Sequence, residues 1–271
     1  MKLKNRTAVV TGAASGIGRA LAGSLAKRGC HLALADINLC GLERTAALVA
    51  TPGLRVSCHP LDVADATAVA DFPRVVLANH PGVDLLFNNA GVALGGTFEQ
   101  VSDEEFEWLF AINFRGMVRM TRAFLPLLRD SEDARLIYLS SVFGLIGAPG
   151  QTAYTASKFA IRGFAESLRH ELEGSRIGVT VVHPGGVATS IADNARTPAA
   201  VSLSQEEKER EQDAWRKALR LPPEEAAETI IRGVEHRRAR LLVGSDAKII
   251  DLAGRLAPVS YWRLLQPLLP K

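Results

Sequence analysis

The stretch Thr7-Ala8-Val9-Val10-Thr11-Gly12-Ala13-Ala14-Ser15-Gly16-Ile17-Gly18-Arg19-Ala20-Leu21 decides how the chain is built. Thr7 to Val10 is a short apolar, β-branched run that stops at a glycine-rich turn, as a buried strand does. From Ile17 onward apolar residues recur at 17, 20, 21 and 25, one face of a helix extending to about residue 28. A strand, a glycine turn and a helix in that order present unpaired backbone N–H groups and the positive end of a helix dipole to an anion. The glycines let the backbone approach that anion closely.

Outward from this unit the pattern repeats. Apolar runs at 31–35, 54–58, 83–87, 135–140, 177–183 and 240–243 alternate with helical periods at 39–50, 65–79, 103–128 and 152–173. Runs that are apolar throughout imply strands buried on both faces, the mark of a parallel sheet covered by helices. The expected fold is a doubly wound (Rossmann) α/β domain with a seven-stranded parallel sheet and helices on both faces. It spans 1–247, with an insertion at 190–222 before the last strand. That insertion carries Pro198, Pro222 and Pro223 and a charged helical segment from Ser204 to Leu221, opened by a capping box of Ser204 and Glu207. It falls at the carboxyl edge of the sheet, as a substrate lid or a surface excursion. The apolar tail, 248–271, could pack on a partner subunit, cover the cleft or lie on a membrane surface.

The 271 residues are 47% apolar and 23% charged with a net charge of +3, which excludes a disordered, collagen-like or disulfide-scaffold chain. Only His236-Arg237-Arg238-Ala239-Arg240 is densely basic, so a nucleic-acid surface is not expected. Cys30, Cys40 and Cys58 form no CxxC pair and read as reduced thiols of a cytoplasmic protein; the six histidines are scattered, and no metal site is indicated. The first apolar run breaks at Thr11-Gly12, too short for a signal peptide. The longest uncharged stretch, 136–157, contains Ser140-Ser141, three glycines, Pro149 and Gln151, so no transmembrane segment is expected.

Four motifs follow in order: the Gly-x-x-x-Gly-x-Gly turn at 12–18, Asn88-Asn89-Ala90-Gly91, Tyr154-x-x-x-Lys158 and Pro184-Gly185. Together, over about residues 5 to 195, they resemble the short-chain dehydrogenase/reductase family. The resemblance implies a nicotinamide dinucleotide held by backbone at Gly12, Ser15, Gly16, Ile17 and Gly18, and by Asp36, Asp62, Val63, Asn89, Ala90 and Gly91. Tyr154, Lys158, Pro184, Gly185, Val187 and Thr189 complete that set. It implies catalysis by Asn113, Ser141, Tyr154 and Lys158, and assembly as a homodimer or homotetramer through the helices at 103–128 and 152–173.

Asp36 ends the second strand, where a carboxylate can accept from both adenosine ribose hydroxyls, favouring NAD. A 2′-phosphate there, about two charges at ~4 Å in an effective dielectric near 20, meets a repulsion on the order of 8 kcal/mol before screening. Ser15 and Ile37 occupy the positions where NADP-preferring relatives carry basic residues, and both are neutral; Arg19 is expected to project from the first turn of its helix. Asp62 fits either the adenine amine or a helix N-cap.

Tyr154 and Lys158, at i and i+4, share a helix face. Ser141 is preferred over Ser140 because residues alternate faces at a strand end. A phenol of pKa ~10 needs roughly 4 kcal/mol to ionise at pH 7; a nearby ammonium and a positive nicotinamide both favour the phenolate. Tyr154 is then the base in oxidation and the acid in reduction, Ser141 hydrogen-bonds the substrate oxygen, and His183 is structural. Phe143, Leu145, Ile146, Val92 and Leu94 suggest an apolar substrate. The expected activity is NAD-dependent interconversion of a secondary alcohol and a ketone. The alternatives are an NADPH-dependent carbonyl reductase and a non-catalytic NAD-binding regulator.

Overall fold

The computed structural model describes residues 1–202, 204, 206, 207, 210, 213 and 218–266. Seven strands form one parallel sheet: β1 (Thr7–Thr11), β2 (His31–Asp36), β3 (Val56–Pro60), β4 (Leu85–Asn88), β5 (Ala134–Leu139), β6 (Ile177–Pro184) and β7 (Arg240–Val243). Their spatial order is β3-β2-β1-β4-β5-β6-β7, all in parallel register. The order reverses between β1 and β4, so a crevice opens at the carboxyl ends of those two strands, the place where such sheets bind ligands.

Both faces are covered. Alternate strand residues go to opposite sides because the side-chain period of a strand is two. Ala8, Val10, Leu32, Leu34, Leu85 and Phe87 join a core with α1 (Gly16–Ala26), α2 (Leu39–Val49) and α7 (Pro223–Glu235). Val9, Ala33, Ala35, Leu86, Leu136 and Tyr138 join the opposite core with α3 (Ala66–Leu77), α5 (Met117–Asp130) and α6 (Thr152–Glu171). The chain continues past β7 into α8 (Ser245–Leu256) and the short α9 (Tyr261–Leu265).

Several expected element boundaries need correction; besides ends that fall short by two residues in α1 and α6, four matter most. The third strand starts two residues later than 54, because Thr51 to Leu54 close a turn through Leu54 N–H to Thr51 C=O at 3.1 Å. The fourth starts at Leu85 rather than 83; Asp84 just before it still bonds Thr7 C=O and Arg135 N–H through its backbone, while its carboxylate accepts from Arg6, Thr7 N–H and Ser131. The third helix begins after Asp65, whose carboxylate caps Thr67 and Ala68 N–H; Asp62 is therefore not the N-cap. The expected single helix over 103–128 is α4 (Asp103–Phe110), opened by a capping box of Ser102 and Glu105, then a π-helical stretch (Ala111–Gly116) and α5. In the insertion the capping box of Ser204 and Glu207 forms, while much of the helical segment expected after it lies outside the described residues.

Candidate active site

Gly12 and Gly16 carry φ of +67° and +51°, a region that L side chains rarely adopt. A Cβ on Gly18 would stand 2.0 Å from the Gly12 carbonyl oxygen, and one on Gly16 3.1 Å from Thr189. The Ser15 side chain makes no capping bond, so it leaves the first N–H groups of α1 to another acceptor. This glycine cradle at a helix N-terminus, with Thr189 facing it, fits a pyrophosphate.

Asp36 is held at the end of β2 by two backbone donors, Ala14 N–H on Oδ2 and Asn38 N–H on Oδ1, both at 3.0 Å. Arg19 departs from expectation. It folds back over the turn, donating from Nε to Thr45 Oγ1 at 3.0 Å and from Nη2 to the Ala14 carbonyl, so a cation sits at the residue whose N–H binds Asp36. Asp62 is exposed, its carboxylate accepting from Ala64 N–H at 2.8 Å and its carbonyl from Asp65 N–H at 3.1 Å, while Val63 is buried against Gly116.

The Asn88–Gly91 loop is fixed to the glycine turn by a residue that motif spacing did not single out. Thr11 Oγ1 accepts from the N–H groups of Asn89 and Ala90, both at 3.0 Å, and donates to Phe87 C=O at 3.1 Å. Asn89 Nδ2 returns bonds to the carbonyls of Thr11 and Gly12.

Ser141, Tyr154 and Lys158 converge at the carboxyl end of β5. Lys158 is 4% exposed, donates from Nζ to Leu139 C=O at 3.1 Å, and lies 5.4 Å from the centroid of the Tyr154 ring. Ser140 is engaged elsewhere, donating to the Lys158 carbonyl at 2.9 Å, which leaves Ser141 as the serine beside Tyr154. Asn113 lies in the π-helical stretch, a break in helical register that often accompanies functional sites. Its side chain accepts from Val92 N–H at 2.8 Å and donates to Val92 C=O at 3.0 Å and Ser157 Oγ at 3.2 Å. Gly91, Asn113 and Lys158 are thereby packed together.

Burial pushes the Tyr154 phenol up to about 12, and the Ser141 hydrogen bond pulls it only partly back. Burial also lowers the Lys158 ammonium to about 8. In the protein alone desolvation dominates, so the expected acidification of the phenol is absent. His183 is buried, lowered to about 4 by burial, and donates from Nδ1 to the Ser141 carbonyl at 3.0 Å.

The other wall is a strap. Gly185 N–H bonds Val243 C=O at 2.9 Å, Ala188 N–H bonds Leu221 C=O at 2.8 Å, and Arg196 pairs with Ala93 and Gly95. The Arg196 guanidinium lies 3.6 Å over the Trp108 ring. A cavity of about 370 Å³ under the strap is lined by Ala188, Thr189, Ser190, Ala192, Asp193 and Leu219. Val92 and Leu94 cluster with Tyr154, and Phe143 meets its ring edge-on at 6.1 Å.

Two further residues escaped the sequence reading. Asp246 Oδ2 accepts from Gly186 N–H at 2.6 Å, and the Tyr261 hydroxyl accepts from Gly147 N–H at 2.9 Å. Nothing local marks them, because their partners lie far away in the chain. The tail thus reaches the cleft, one of the three places open to it.

A family model described as short chain dehydrogenase matches residues 6–200. The chain belongs to that family. It is 40% identical to the Mycobacterium tuberculosis protein SadH, over 97% of this chain and 94% of that one. A short-chain dehydrogenase/reductase from Burkholderia phymatum, solved in complex with NAD, is 29% identical and superposes with a TM-score of 0.85 over 96% of both chains. An alcohol dehydrogenase from Thermococcus sibiricus, complexed with 5-hydroxy-NADP, is 28% identical with a TM-score of 0.73 over 88% of this chain and 94% of that one. This chain is thus an oxidoreductase of the short-chain family, whose solved neighbours bind nicotinamide dinucleotides of both kinds.

Proposed function

We propose that the chain interconverts a secondary alcohol and a ketone with NAD, on an apolar substrate. The observation that carries this is the convergence of Ser141, Tyr154 and Lys158 beside a glycine cradle whose far end is closed by Asp36. The cradle residues Gly12, Ser15, Gly16, Ile17 and Gly18 would hold the pyrophosphate. Asp36 would hold the adenosine ribose, Asp62 and Val63 the adenine, and Asn89, Ala90 and Gly91 the ribose floor. Pro184, Gly185, Val187 and Thr189 would hold the nicotinamide end. When bound, the nicotinamide supplies the hydride acceptor or donor.

The chain's own residues handle the proton and the oxygen. Ser141 donates a hydrogen bond to the substrate oxygen and stabilises charge there. Tyr154 takes the hydroxyl proton in oxidation and returns it in reduction. Lys158, cationic below about pH 8, binds ribose hydroxyls and offsets charge on the phenolate. Asn113 fixes the loop at Val92 and, through Ser157, the helix that carries Tyr154. The described part of the 190–222 insertion would act as a lid, with Arg196 on Trp108 as its latch. Exposed Phe159 on α6 suits a homo-oligomer contact through that helix.

Arg19 favours a second reading. A guanidinium beside Asp36 would pair with a 2′-phosphate, so NADP is the competing cofactor. Titrating both dinucleotides by tyrosine or tryptophan fluorescence separates the two: NAD should bind at least tenfold more tightly. Equal or tighter NADP binding rejects the NAD assignment. A panel of apolar secondary alcohols, followed by NADH absorbance, tests the reaction.

A further inference from the structure

The segment beyond β7 carries an apolar stripe that the reaction does not use. Ile249, Leu252 and Leu256 stand at i, i+3 and i+7 on the helix α8, with Val259 and Leu264 following it, and all five are between 55% and 95% exposed. In soluble proteins, large apolar side chains gathered on one exposed face mark a surface that something covers. Basic residues flank this one: Lys248, Arg255 and Arg263 are all exposed.

The acidic side chains here are committed. Asp251, 13% exposed, is ion-paired with both Arg240 and Arg255, and Asp246 accepts from Gly186 N–H. From Leu252 to Lys271 the sequence has no Asp or Glu. Two copies of this chain meeting stripe to stripe would set their cations against one another with no free carboxylate between them. A surface that is apolar inside and anionic at its rim satisfies both halves of the pattern.

We propose that the α8–α9 segment docks on an anionic lipid bilayer surface, with the leucine and isoleucine stripe in the acyl boundary and Lys248 and Arg263 among the headgroups. No helix among the described residues is long and apolar enough to cross a membrane, so the attachment is peripheral. The same segment abuts the cleft: Gly254 lies against Ile146, and Tyr261 bonds Gly147. Docking therefore sets the substrate side of the cleft beside the bilayer. On the proposed reaction, an apolar alcohol dissolved in lipid would enter from there.

The test uses the full chain and sedimentation with phosphatidylcholine vesicles, with and without about a third phosphatidylglycerol. Binding to the anionic vesicles at low salt should exceed binding to neutral vesicles at least tenfold and fall in high salt. Leu252→Gln with Leu256→Gln, and separately Lys248→Glu with Arg263→Glu, should each cost at least tenfold while leaving the thermal midpoint unchanged. Equal binding to neutral vesicles, no binding, or binding untouched by both variants overturns the proposal. So does a wild-type dimer that the leucine variant converts to a monomer, which would assign the stripe to a second copy. Because the readout is lipid binding, it fails or succeeds whether or not the alcohol reaction is correct.

Discussion

Around the glycine turn, the bonds that fix the wall run between neighbours in the sheet: Asp36 to Ala14, Thr11 to Asn89 and Ala90, Asn89 to Gly12. Across the cleft, Gly147 is held by Tyr261, 114 residues away, Gly186 by Asp246, 60 residues away, and the strap by Arg196 on Trp108. One wall follows from parallel strands lying side by side and is built wherever the sheet forms. The other depends on late-chain segments docking on the finished sheet. The first wall therefore rests on the sheet alone, while the second is where this chain's individuality lies.

If the two walls work separately, substitutions on them should separate dinucleotide binding from substrate binding. Among substitutions that separate the two walls, the largest effect is expected at Asp36→Ala. Losing the carboxylate removes both ribose acceptors and the repulsion toward a 2′-phosphate, so the NAD-to-NADP affinity ratio should fall by tens of fold, with the alcohol KM unmoved. Stopped binding titrations of both dinucleotides check it; an unchanged ratio would place discrimination elsewhere, with Arg19 the first suspect.

Tyr261→Phe should do the reverse. Removing a hydroxyl that holds a backbone N–H loosens the 142–147 loop, and about 1 kcal/mol is a five- to tenfold rise in alcohol KM. Dinucleotide affinity should not change, and kcat should stay within about twofold; steady-state kinetics in both substrates reads this. Arg196→Ala removes an exposed cation–π contact worth about 0.5–1 kcal/mol, so a two- to fivefold rise in alcohol KM is expected.

A smaller effect concerns stability. His80 and His183 are both held to about 4 by burial, below their ordinary 6.5. Unfolding lets each ring take up a proton between those values, so the unfolded chain binds more protons there. Their contribution is complete above pH 6.5 and is lost as pH falls towards 4. Urea midpoints measured from pH 7 to 4.5 should decline, and His80→Gln should flatten part of that slope.

How much could be read from the chain alone divides along the same line. The seven parallel strands and both helical layers follow from periodicity, because a parallel sheet repeats a local rule, whereas Ser141, Tyr154 and Lys158 are marked by family resemblance and the strand order only by the structure. Asp65 displaced Asp62 as helix cap because both are acidic and three residues apart; only the turn geometry chooses between them. The π-helical stretch around Asn113 has no pattern in an apolar period. Arg19 turned inward because Ala14 C=O and Thr45 Oγ1 lie within its reach, a fact of packing between α1 and α2. Asp246 and Tyr261 are invisible to any local reading.

The protein's phenol stands at about 12 without a dinucleotide, so alcohol oxidation needs its proton removed while ketone reduction does not. One assay probes this most directly: NADH formation from an apolar secondary alcohol, across pH 7 to 10, by wild type and Tyr154→Phe. The wild-type rate should rise with pH, and the variant should lose about 10²–10⁴-fold at every pH. A variant that retains wild-type rate, or a wild-type rate that falls as pH rises, would contradict proton transfer through Tyr154.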